Sequence, residues 1–412
     1  MQQAFQGLGG SHPRPPTSLA TPGNHSMPPE ILKFLTGLLE ACVLAGCTYY
    51  VLATLSLIRF LRRPAIESSA PPAASILRPL CGEDPGLYEN LLSAADQAHP
   101  QFEIVCGVQD PRDPAIPAVE RLQRERPQVP IALAVDERPH GVNLKVGNLL
   151  NMLPLARHDL LVMVDSDMRL SADFLASVTG EFADPSVGLV TSLYRGCPAD
   201  RSLWSRLAAA HINYGFLPQA VLGERVRPGE GCFGASIAIP RRTLAEIGGL
   251  EAFADTLGED NALGAGVRRL GKRVVLSHLL IDDWLSERSL GVLWRHELRW
   301  ALTIRGVAPW GYFGTVVAHP LPFALLALPA GGFGVIPLAG LAVALLARFA
   351  MVRAVDRALR LPPLPAWLLP VRDLLSFGVF VVSFSTRTVA WRNRRFRVDR
   401  RGQLTLDGDR PA

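Results

Sequence analysis

Residues 160–167 have the sequence LLVMVDSD, in which five consecutive apolar residues precede two aspartates that are one residue apart. A short apolar run of this kind is typical of a buried β-strand. In open α/β sheets, ligands bind beyond the carboxyl ends of the strands. Mg²⁺ and Mn²⁺ prefer oxygen ligands and are commonly held by one or two carboxylates together with substrate phosphates. We therefore predict that Asp165 and Asp167 bind a divalent metal; for this motif alone, the alternative is a solvated turn.

Strand and helix patterns alternate around this stretch. Runs of β-forming residues lie at 75–77, 102–108 and 131–135, and helical patterns lie at 87–98, 118–125 and 146–155. Strands that alternate with helices predict an α/β domain with a parallel, Rossmann-like sheet. We place this domain at residues 72–305.

Two further polar residues lie near the ends of predicted elements. Asp110 follows the strand at 102–108, where its carboxylate can accept a hydrogen bond from a uracil or ribose group. The alternative is ordinary turn chemistry, because Asp-Pro-Arg-Asp-Pro is rich in turn-forming residues. Lys145 lies between two predicted elements, and its ammonium group suits a phosphate.

Two motifs nearer the C-terminus also carry candidate chemistry. Asp260 opens a predicted helix, where a carboxylate close to an acceptor hydroxyl can act as a general base. The alternative is an acidic residue that complements the helix dipole. Arg299 offers a fork of donors that suits phosphate oxygens, and Trp300 offers a flat apolar surface. The alternative for this pair is an interfacial anchor, because Trp and Arg are enriched at membrane boundaries.

The composition indicates a membrane environment and argues against nucleic acid. Of 412 residues 49% are hydrophobic, the mean hydropathy is +0.20, and the formal net charge is only +5. Arginines cluster beside apolar segments, where they suit anionic lipid head groups. The sequence contains no helix-turn-helix, RNP or zinc-finger pattern, and its six cysteines form no CxxC pair. We predict a lipid bilayer as a partner and no nucleic acid.

The first apolar segment runs from about 34 to 60 and follows a Pro-, Gly- and Ser-rich extension, residues 1–28, that we predict to be disordered. We predict a transmembrane anchor at 31–62. Arg59, Arg62 and Arg63 end this segment, and the positive-inside rule then places the following domain in the cytoplasm.

The second apolar region, 306–347, contains no Asp, Glu, Lys or Arg, so two crossings of about 20 residues fit there. We predict a transmembrane hairpin at 306–350, with its turn at Gly331 and Gly332 and with arginines from Arg348 onward after it.

The third apolar stretch, 374–386, is only 13 residues long and follows Arg372 and Asp373. This length favours an interfacial or re-entrant segment within 363–388, followed by a basic cytoplasmic tail at 389–412. The alternative is a full third span, which would bury both charged residues.

The motifs together resemble those of the ceramide glucosyltransferases, glycosyltransferase family 21. Four of them follow one another at separations of about 55, 95 and 40 residues. The motifs that carry the resemblance are Arg78-Pro79-Leu80, Val108-Gln109-Asp110-Pro111, Asn143-x-Lys145, Asp165-Ser166-Asp167, Gly248-Gly249-Leu250, Glu259-Asp260, His296-Glu297-Leu298-Arg299-Trp300 and the tail Val389–Arg394. Within the family, the chain looks most like the bacterial branch associated with hopanoid biosynthesis.

The resemblance implies a GT-A fold, a UDP-sugar donor, a divalent metal (Mg²⁺ or Mn²⁺) and inversion at the anomeric carbon. It also implies that Asp110 binds uridine, that Lys145 contacts the donor, and that Asp165 and Asp167 hold the metal and diphosphate. By the same resemblance, Asp260 deprotonates the acceptor. Arg299 and Trp300 would bind the diphosphate. The chain departs from the family pattern at His296, where the last motif usually begins with Gln or Arg.

The resemblance further implies transfer of N-acetylglucosamine to bacteriohopanetetrol, by an enzyme of the bacterial inner membrane with a cytoplasmic catalytic domain. The nearest alternative is transfer of glucose to ceramide. A processive polysaccharide synthase shares the same motifs but usually needs more membrane spans. A transporter or a non-catalytic scaffold is the alternative from another class.

Overall fold

The computed structural model describes residues 28–64, 71–386, 388–391, 394–398 and 404–406. The strands are β1 (Ala74–Pro79), β2 (Phe102–Val108), β3 (Ile131–Val135), β4 (Leu160–Val164), β5 (Met168–Arg169), β6 (Val187–Thr191), β7 (Tyr194–Pro198), β8 (Ser236–Pro240), β9 (Arg273–Leu276), β10 (Ile281–Leu285), β11 (Thr388–Trp391), β12 (Arg394–Val398) and β13 (Leu404–Leu406).

The α-helices are α1 (Pro29–Phe60), α2 (Leu87–Ala95), α3 (Ile116–Glu125), α4 (Leu144–Met152), α5 (Phe174–Gly180), α6 (Leu203–His211), α7 (Leu217–Val226), α8 (Arg241–Glu246), α9 (Glu259–Arg269), α10 (Leu290–Val307), α11 (Pro309–Gly314), α12 (Pro320–Ala330), α13 (Val335–Leu359) and α14 (Leu368–Ser383). Short 3₁₀ turns lie at Leu153–Leu155, Glu181–Ala183, Glu251–Phe253 and Thr315–Ala318, and a π-helical turn lies at Ile212–Phe216.

The main sheet has the strand order β3-β2-β1-β4-β8-β6-β9. Strands β1 to β4 are parallel, as the alternating pattern predicts, but β8 runs antiparallel to both β4 and β6. The α/β prediction is confirmed, whereas the wholly parallel sheet is wrong. Between β6 and β8 the chain passes through β7, α6 and α7. After this long connection, β8 pairs with β4 in the opposite direction.

Strand β4 is apolar throughout because both of its faces are covered. Leu160, Val162 and Val164 belong to the core that contains α2, α3 and α5, whereas Leu161 and Met163 belong to the core formed with α4, α8 and α9. Side chains alternate between the two faces of a strand, so a strand between two helical layers needs no polar positions. The two aspartates follow directly after this buried strand, so they lie at the carboxyl edge of the sheet.

A second, three-stranded sheet packs at that edge, with the strand order β5-β10-β7. Strand β5 begins directly after Asp167, and β10 pairs with it so that Asp283 lies opposite Met168. Strand β10 also runs parallel to β7. This sheet places residues far apart in the sequence beside the aspartates.

Two helices in the described part of the chain, α1 and α13, are long and apolar enough to cross a membrane. The segments Pro309–Ala318 and Pro320–Ala330 qualify only as a pair, and they bend by 61° at His319. The predicted hairpin therefore differs from two straight crossings, although its turn does lie at residues 331–334. Helix α13 continues to Leu359, so Arg348 lies within the helix and not after it.

Helix α14 begins at Leu368, before the predicted start at residue 374, and has 16 residues. Arg372 and Asp373 are therefore helical, and both are buried inside the protein. Arg372 pairs with Glu297 of α10 at 2.6 Å, and Asp373 pairs with Arg348 of α13 at 2.6 Å. Buried charges persist when each is paired and hydrogen-bonded.

The predicted N-terminal extension lies outside the described residues, apart from Pro28. In the predicted basic tail, β11, β12 and β13 form an antiparallel sheet, and its remaining residues also lie outside the described ranges.

Candidate active site

The site begins at the N-terminus of α4, which Asn143 caps. The Asn143 side-chain oxygen accepts hydrogen bonds from the backbone N–H groups of Lys145 (3.1 Å) and Val146 (3.2 Å), so it satisfies donors that the first helical turn leaves free. The side-chain amide of Asn143 donates to the Thr256 carbonyl and to Glu259. One asparagine thus joins the start of α4 to the start of α9.

Lys145 lies at the centre of the site. Its Nζ is 2.6 Å from Asp165 Oδ1 and 3.3 Å from Glu259 Oε1, and it donates to the Gly234 carbonyl at 3.1 Å. Burial by itself lowers the pKa of Lys145, but attraction to Asp165 and Glu259 outweighs burial and holds its pKa above the usual value. The lysine is therefore a fixed cation that links the carboxylates after β4 with those at the start of α9.

A buried arginine of β1 holds the Asp165-Ser166-Asp167 turn in place. Arg78 of β1 donates to the carbonyls of Ser166 (3.2 Å) and Met168 (3.0 Å), and the Ser166 hydroxyl donates to Asp84 at 2.6 Å. These bonds fix the backbone of the turn that carries the two carboxylates.

Carboxylates crowd around Asp167. Burial raises the pKa of Asp167 to about 7, and repulsion from Asp165 and Asp84 adds to this effect. Asp283 of β10 is buried beside them, and burial followed by repulsion from Asp167 and Asp165 raises its pKa well above the usual range. Within the part of the chain that the structure describes, Asp167 Oδ1 and Asp283 Oδ1 are buried without a hydrogen-bond partner. Such a concentration of unpaired negative charge favours a bound cation.

Asp260 lies in the first turn of α9, on the other side of Lys145. Its Oδ1 accepts a hydrogen bond from the backbone N–H of Asn261 at 2.7 Å. Gly234 packs closely against the carboxylate, since a Cβ added at this glycine would lie only 3.3 Å from Asp260 Oδ2. Burial raises the pKa of Asp260 to about 6, and the neighbouring Glu259 contributes in the same direction. The group is thus an ionised carboxylate near neutral pH that binds a proton more readily than an exposed aspartate.

Arg299 of α10 faces the same carboxylates. Burial lowers the pKa of its guanidinium, while Asp167 and Asp165 act in the opposite sense. Among the described residues, this guanidinium makes no hydrogen bond or ion pair, so its donor fork is available to an anion. The positively charged Arg299 and the negatively charged Asp165 and Asp167 therefore face the same space.

Trp300 is fixed between two histidines. Its ring stacks on His211 with centroids 6.0 Å apart and contacts His296 at 4.2 Å. Burial lowers the pKa of His211 to about 4, so this imidazole is neutral at pH 7. His296 pairs with Glu287 at 2.8 Å. The histidine that departs from the family pattern thus contacts Trp300 and Glu287.

The structure brings together Lys145, Asp165, Asp167 and Asp260, with Arg299 close by, whereas in the described residues no hydrogen bond or ion pair joins Asp110 to this group. Asp110 lies beyond β2 at the same edge of the sheet, with a side chain that is 57% exposed. Its carboxylate accepts the backbone N–H of Arg112 at 2.8 Å and pairs with the Arg112 side chain at 3.6 Å. A role in binding the base remains a proposal for Asp110.

The residues present fit a divalent metal that needs its substrate to complete the coordination. In the described residues no three His, Cys, Asp or Glu side chains converge as a preformed metal cage. The carboxylates of Asp165 and Asp167 offer the oxygen ligands; Asp165 Oδ1 also contacts Lys145, whereas Asp167 Oδ1 has no hydrogen-bond partner among the described residues. This donor set suits Mg²⁺ or Mn²⁺, which commonly take one or two carboxylates and leave positions for phosphate oxygens.

The sequence motifs assign no individual role to four residues of the site. Asp283 sits in the strand sequence IDDWL, where an aspartate on the same face as apolar residues was a usable signal. Glu259 precedes Asp260 and is part of the Glu259-Asp260 motif, in which only Asp260 has a predicted role. Arg78 is named only within the Arg78-Pro79-Leu80 motif, and Asp84 carries no local signal, because only the folded β1 and the loop after it bring both residues to the Asp165-Ser166-Asp167 turn.

Comparison with known proteins identifies the family. The model of Glycosyl transferase family 21 matches residues 38–404. The chain belongs to this family. It is therefore a glycosyltransferase, and its ceramide glucosyltransferase-like character agrees with the resemblance carried by the motifs.

Two relatives of this family 21 enzyme come from Caenorhabditis elegans. Ceramide glucosyltransferase 1 is 22% identical over 383 residues, which cover 89% of this chain and 80% of that protein. Ceramide glucosyltransferase 3 is 25% identical over 251 residues, which cover 58% of this chain and 53% of that protein.

A solved structure supports the fold. The mannosyltransferase PcManGT from Pyrobaculum calidifontis, in complex with GDP-Man and Mn²⁺, is similar with a TM-score of 0.50 and 20% identity. The match covers 86% of this chain and 99% of that chain. The family 21 enzyme thus has the mixed α/β fold of GT-A glycosyltransferases.

Proposed function

We propose that this family 21 enzyme transfers N-acetylglucosamine from a UDP-sugar to a hydroxyl of a membrane lipid, bacteriohopanetetrol. The observation that carries the reaction type is the position of Lys145, whose ammonium group contacts both Asp165 and Glu259. This lysine has the metal-binding carboxylates on one side and the base Asp260 on the other. Sugar transfer needs both kinds of group close together: carboxylates that hold the metal for the donor diphosphate, and a base for the acceptor hydroxyl.

The donor is held through its diphosphate. Asp165 and Asp167 would hold a divalent metal, which would neutralise charge on the departing UDP. Arg299 binds the diphosphate oxygens with its planar fork, and Lys145 adds a positive charge nearby. Trp300 joins Arg299 in binding the diphosphate, and contacts with His211 and His296 hold its ring in place. Asp110 contacts the uridine.

Asp260 is the general base of the reaction. As the acceptor oxygen attacks the anomeric carbon, its proton passes to the Asp260 carboxylate and the bond from that carbon to the UDP oxygen breaks. A single displacement of this kind converts an α-linked donor into a β-linked product. The pKa of about 6 suits the role, because the carboxylate is ionised at neutral pH and its proton affinity exceeds that of an ordinary aspartate.

The second candidate is transfer of glucose to ceramide. Its support is the printed name of the relatives, of which Ceramide glucosyltransferase 1 aligns over 89% of this chain. Both candidates use the same residues in the same roles, so they differ only in the sugar and the lipid. A processive polysaccharide synthase is the third candidate, and a polymeric product would identify it.

For the cellular location we propose the bacterial inner membrane, with the catalytic domain in the cytoplasm. Two candidate membrane helices, α1 and α13, support membrane association. Arg59, Arg62 and Arg63 at the end of α1 support the orientation, because basic residues are enriched on the cytoplasmic side.

The test is a transferase assay on the purified full chain in detergent. UDP-N-acetylglucosamine and UDP-glucose are each offered with bacteriohopanetetrol or ceramide, in Mn²⁺ or EDTA, and products are identified by mass spectrometry. Asp260→Asn is the inactive variant. Asp96→Asn is its matched control, because Asp96 is a half-exposed carboxylate that pairs with Arg126 away from the site.

We expect a metal-dependent N-acetylglucosaminyl hopanoid that Asp260→Asn does not form and Asp96→Asn does. Glucosylceramide as the product would replace the proposed sugar and lipid and keep the mechanism. Full activity in Asp260→Asn would contradict the assignment of the base.

A further inference from the structure

Four large apolar side chains are exposed at the end of α10 and in α11. Trp310 is 85% exposed and Phe313 is 56% exposed, and Ile304 and Val307 at the end of α10 are also exposed. We call these four side chains the apolar platform. Large exposed apolar patches are uncommon on soluble proteins and mark interaction surfaces.

The opposite side of this segment is anchored to the protein. Tyr312 is buried, its hydroxyl donates to Ser383 Oγ at 3.0 Å, and its ring packs on Phe380 and Phe384 of α14 and the turn after it. Arg305 donates to the carbonyl groups of Ser383 and Thr386 at the end of α14. The orientation of Trp310 and Phe313 away from the protein is therefore fixed by packing.

The platform is continuous with the membrane segments. It lies in and just before the part of the bent pair that precedes the 61° break, and α12 after the break has 11 residues. Eleven residues span only about 16 Å, which is half of a bilayer core of about 30 Å. With the turn at 331–334 at the far surface, α12 reaches about the middle of the bilayer, so residues 309–318, beyond the break, fall in the leaflet on the side of the catalytic domain.

The platform also touches the loop that carries the base. A Cβ at Gly258 would lie 2.9 Å from Val307 Cγ2 and 3.9 Å from Thr303 Cγ2, so the backbone before Glu259 packs directly on the end of α10. Asp260 is two residues further along the chain. A lipid that lies against the platform therefore has its polar end close to the start of α9.

We propose that the apolar platform lies in the bilayer leaflet on the side of the catalytic domain and is the surface on which the acceptor lipid is presented to Asp260. The use of this surface by the acceptor depends on the proposed function, whereas its insertion into lipid does not. The occupant is a lipid surface: the head-group and upper acyl region binds Trp310 and Phe313, and the acceptor extends its hydroxyl from there.

The first experiment measures insertion without turnover. The full chain is reconstituted into phosphatidylcholine–phosphatidylglycerol vesicles in which bromine atoms lie near either the carbonyl end or the methyl end of the acyl chains. The fluorescence of Trp310→Phe, subtracted from that of the unsubstituted enzyme, isolates Trp310. We expect stronger quenching of this difference by the shallow bromine. Quenching by neither lipid, or stronger quenching by the deep bromine, would overturn the proposal.

The second experiment measures use of the surface by the acceptor. The Trp310→Ala, Phe313→Ala double variant should raise KM for the lipid acceptor in vesicles by about tenfold or more, because two aromatic anchors are lost. KM for the UDP-sugar should change by less than about twofold, since neither residue contacts the donor residues. Leu155→Ala is the control, because Leu155 is an exposed apolar residue of the catalytic domain.

An unchanged acceptor KM in the double variant would refute the presentation of the lipid by this surface. If the proposed function itself is wrong, the unsubstituted enzyme forms no lipid glycoside, while the quenching result still tests insertion. The two failures are therefore distinguishable.

Discussion

Replacement of Arg372 by methionine should destabilise the protein strongly, although this residue lies outside the candidate active site. Arg372 is 1% exposed and its partner Glu297 is 2% exposed. The two guanidinium Nη atoms each lie 2.6 Å from a Glu297 oxygen, and Arg372 also bonds to the Leu207 carbonyl and the Ser376 hydroxyl. This one side chain joins α14 to α6 and to α10, which carries Arg299 and Trp300.

The magnitude follows from the charge that the substitution leaves behind. The methionine side chain would fill a similar volume, but the Glu297 carboxylate would remain buried without its partner, which costs about 3–5 kcal/mol. If each kcal/mol corresponds to about 2 °C in a protein of this size, the thermal midpoint should fall by about 6–10 °C. Removal of both charges, in Arg372→Met with Glu297→Leu, should recover most of this loss, because a buried pair and well-packed apolar residues are often similar in stability.

The assay is thermal unfolding of the full chain in one detergent at one protein concentration. Arg121→Met is the matched control, since Arg121 pairs with Glu125 at 2.8 Å but the two side chains are 54% and 43% exposed. An exposed pair contributes under about 1 kcal/mol, so this control should shift the midpoint by about 2 °C or less. A loss in Arg372→Met no larger than that of the control, or a double variant as unstable as the single one, would refute the reasoning.

Four predictions concern the chemistry. Asp260→Asn should lower kcat by about 10²–10⁴ with little change in KM for the donor, and a near-normal kcat would exclude Asp260 as the base. Because the base must be ionised and its pKa is about 6, kcat/KM of the unsubstituted enzyme should rise with pH through about 6, and a profile flat from pH 5 to 8 would contradict this. Asp167→Asn should abolish the Mn²⁺-dependent part of UDP binding in calorimetry, whereas retained Mn²⁺ dependence would place the metal elsewhere. Arg299→Lys should raise KM for the donor by about tenfold or more, because an ammonium group does not replace a planar fork, and an unchanged KM would remove Arg299 from donor binding.

Local patterns predicted the elements that depend on local interactions. Strands β2, β3 and β4 have the predicted bounds, because each is a short apolar run that turn residues terminate. The position of Asp165 and Asp167 after β4 followed from the same pattern. Local sequence did not predict the antiparallel β8, because the direction of a strand depends on the path of the chain between strands.

The charged residues of the membrane-proximal helices show the same limit. Arg372 and Asp373 interrupt an apolar stretch, and hydropathy alone places such residues at its boundary. In the fold they lie within α14 because Glu297 and Arg348 neutralise them from two other helices. No local pattern contains this information, since the partners are 75 and 25 residues away along the chain.

The sequence by itself determined the α/β class, the carboxylates after β4, the acidic start of α9, the Arg-Trp pair and the presence of apolar helices, since each depends on residues close together in the chain. Only the tertiary structure decided that Lys145 joins Asp165 to Glu259, that Asp283 lies beside Asp167, and that the apolar platform touches the loop before Asp260. The physical reason is that charge pairing, desolvation and close packing depend on distances in space, which only the complete fold sets.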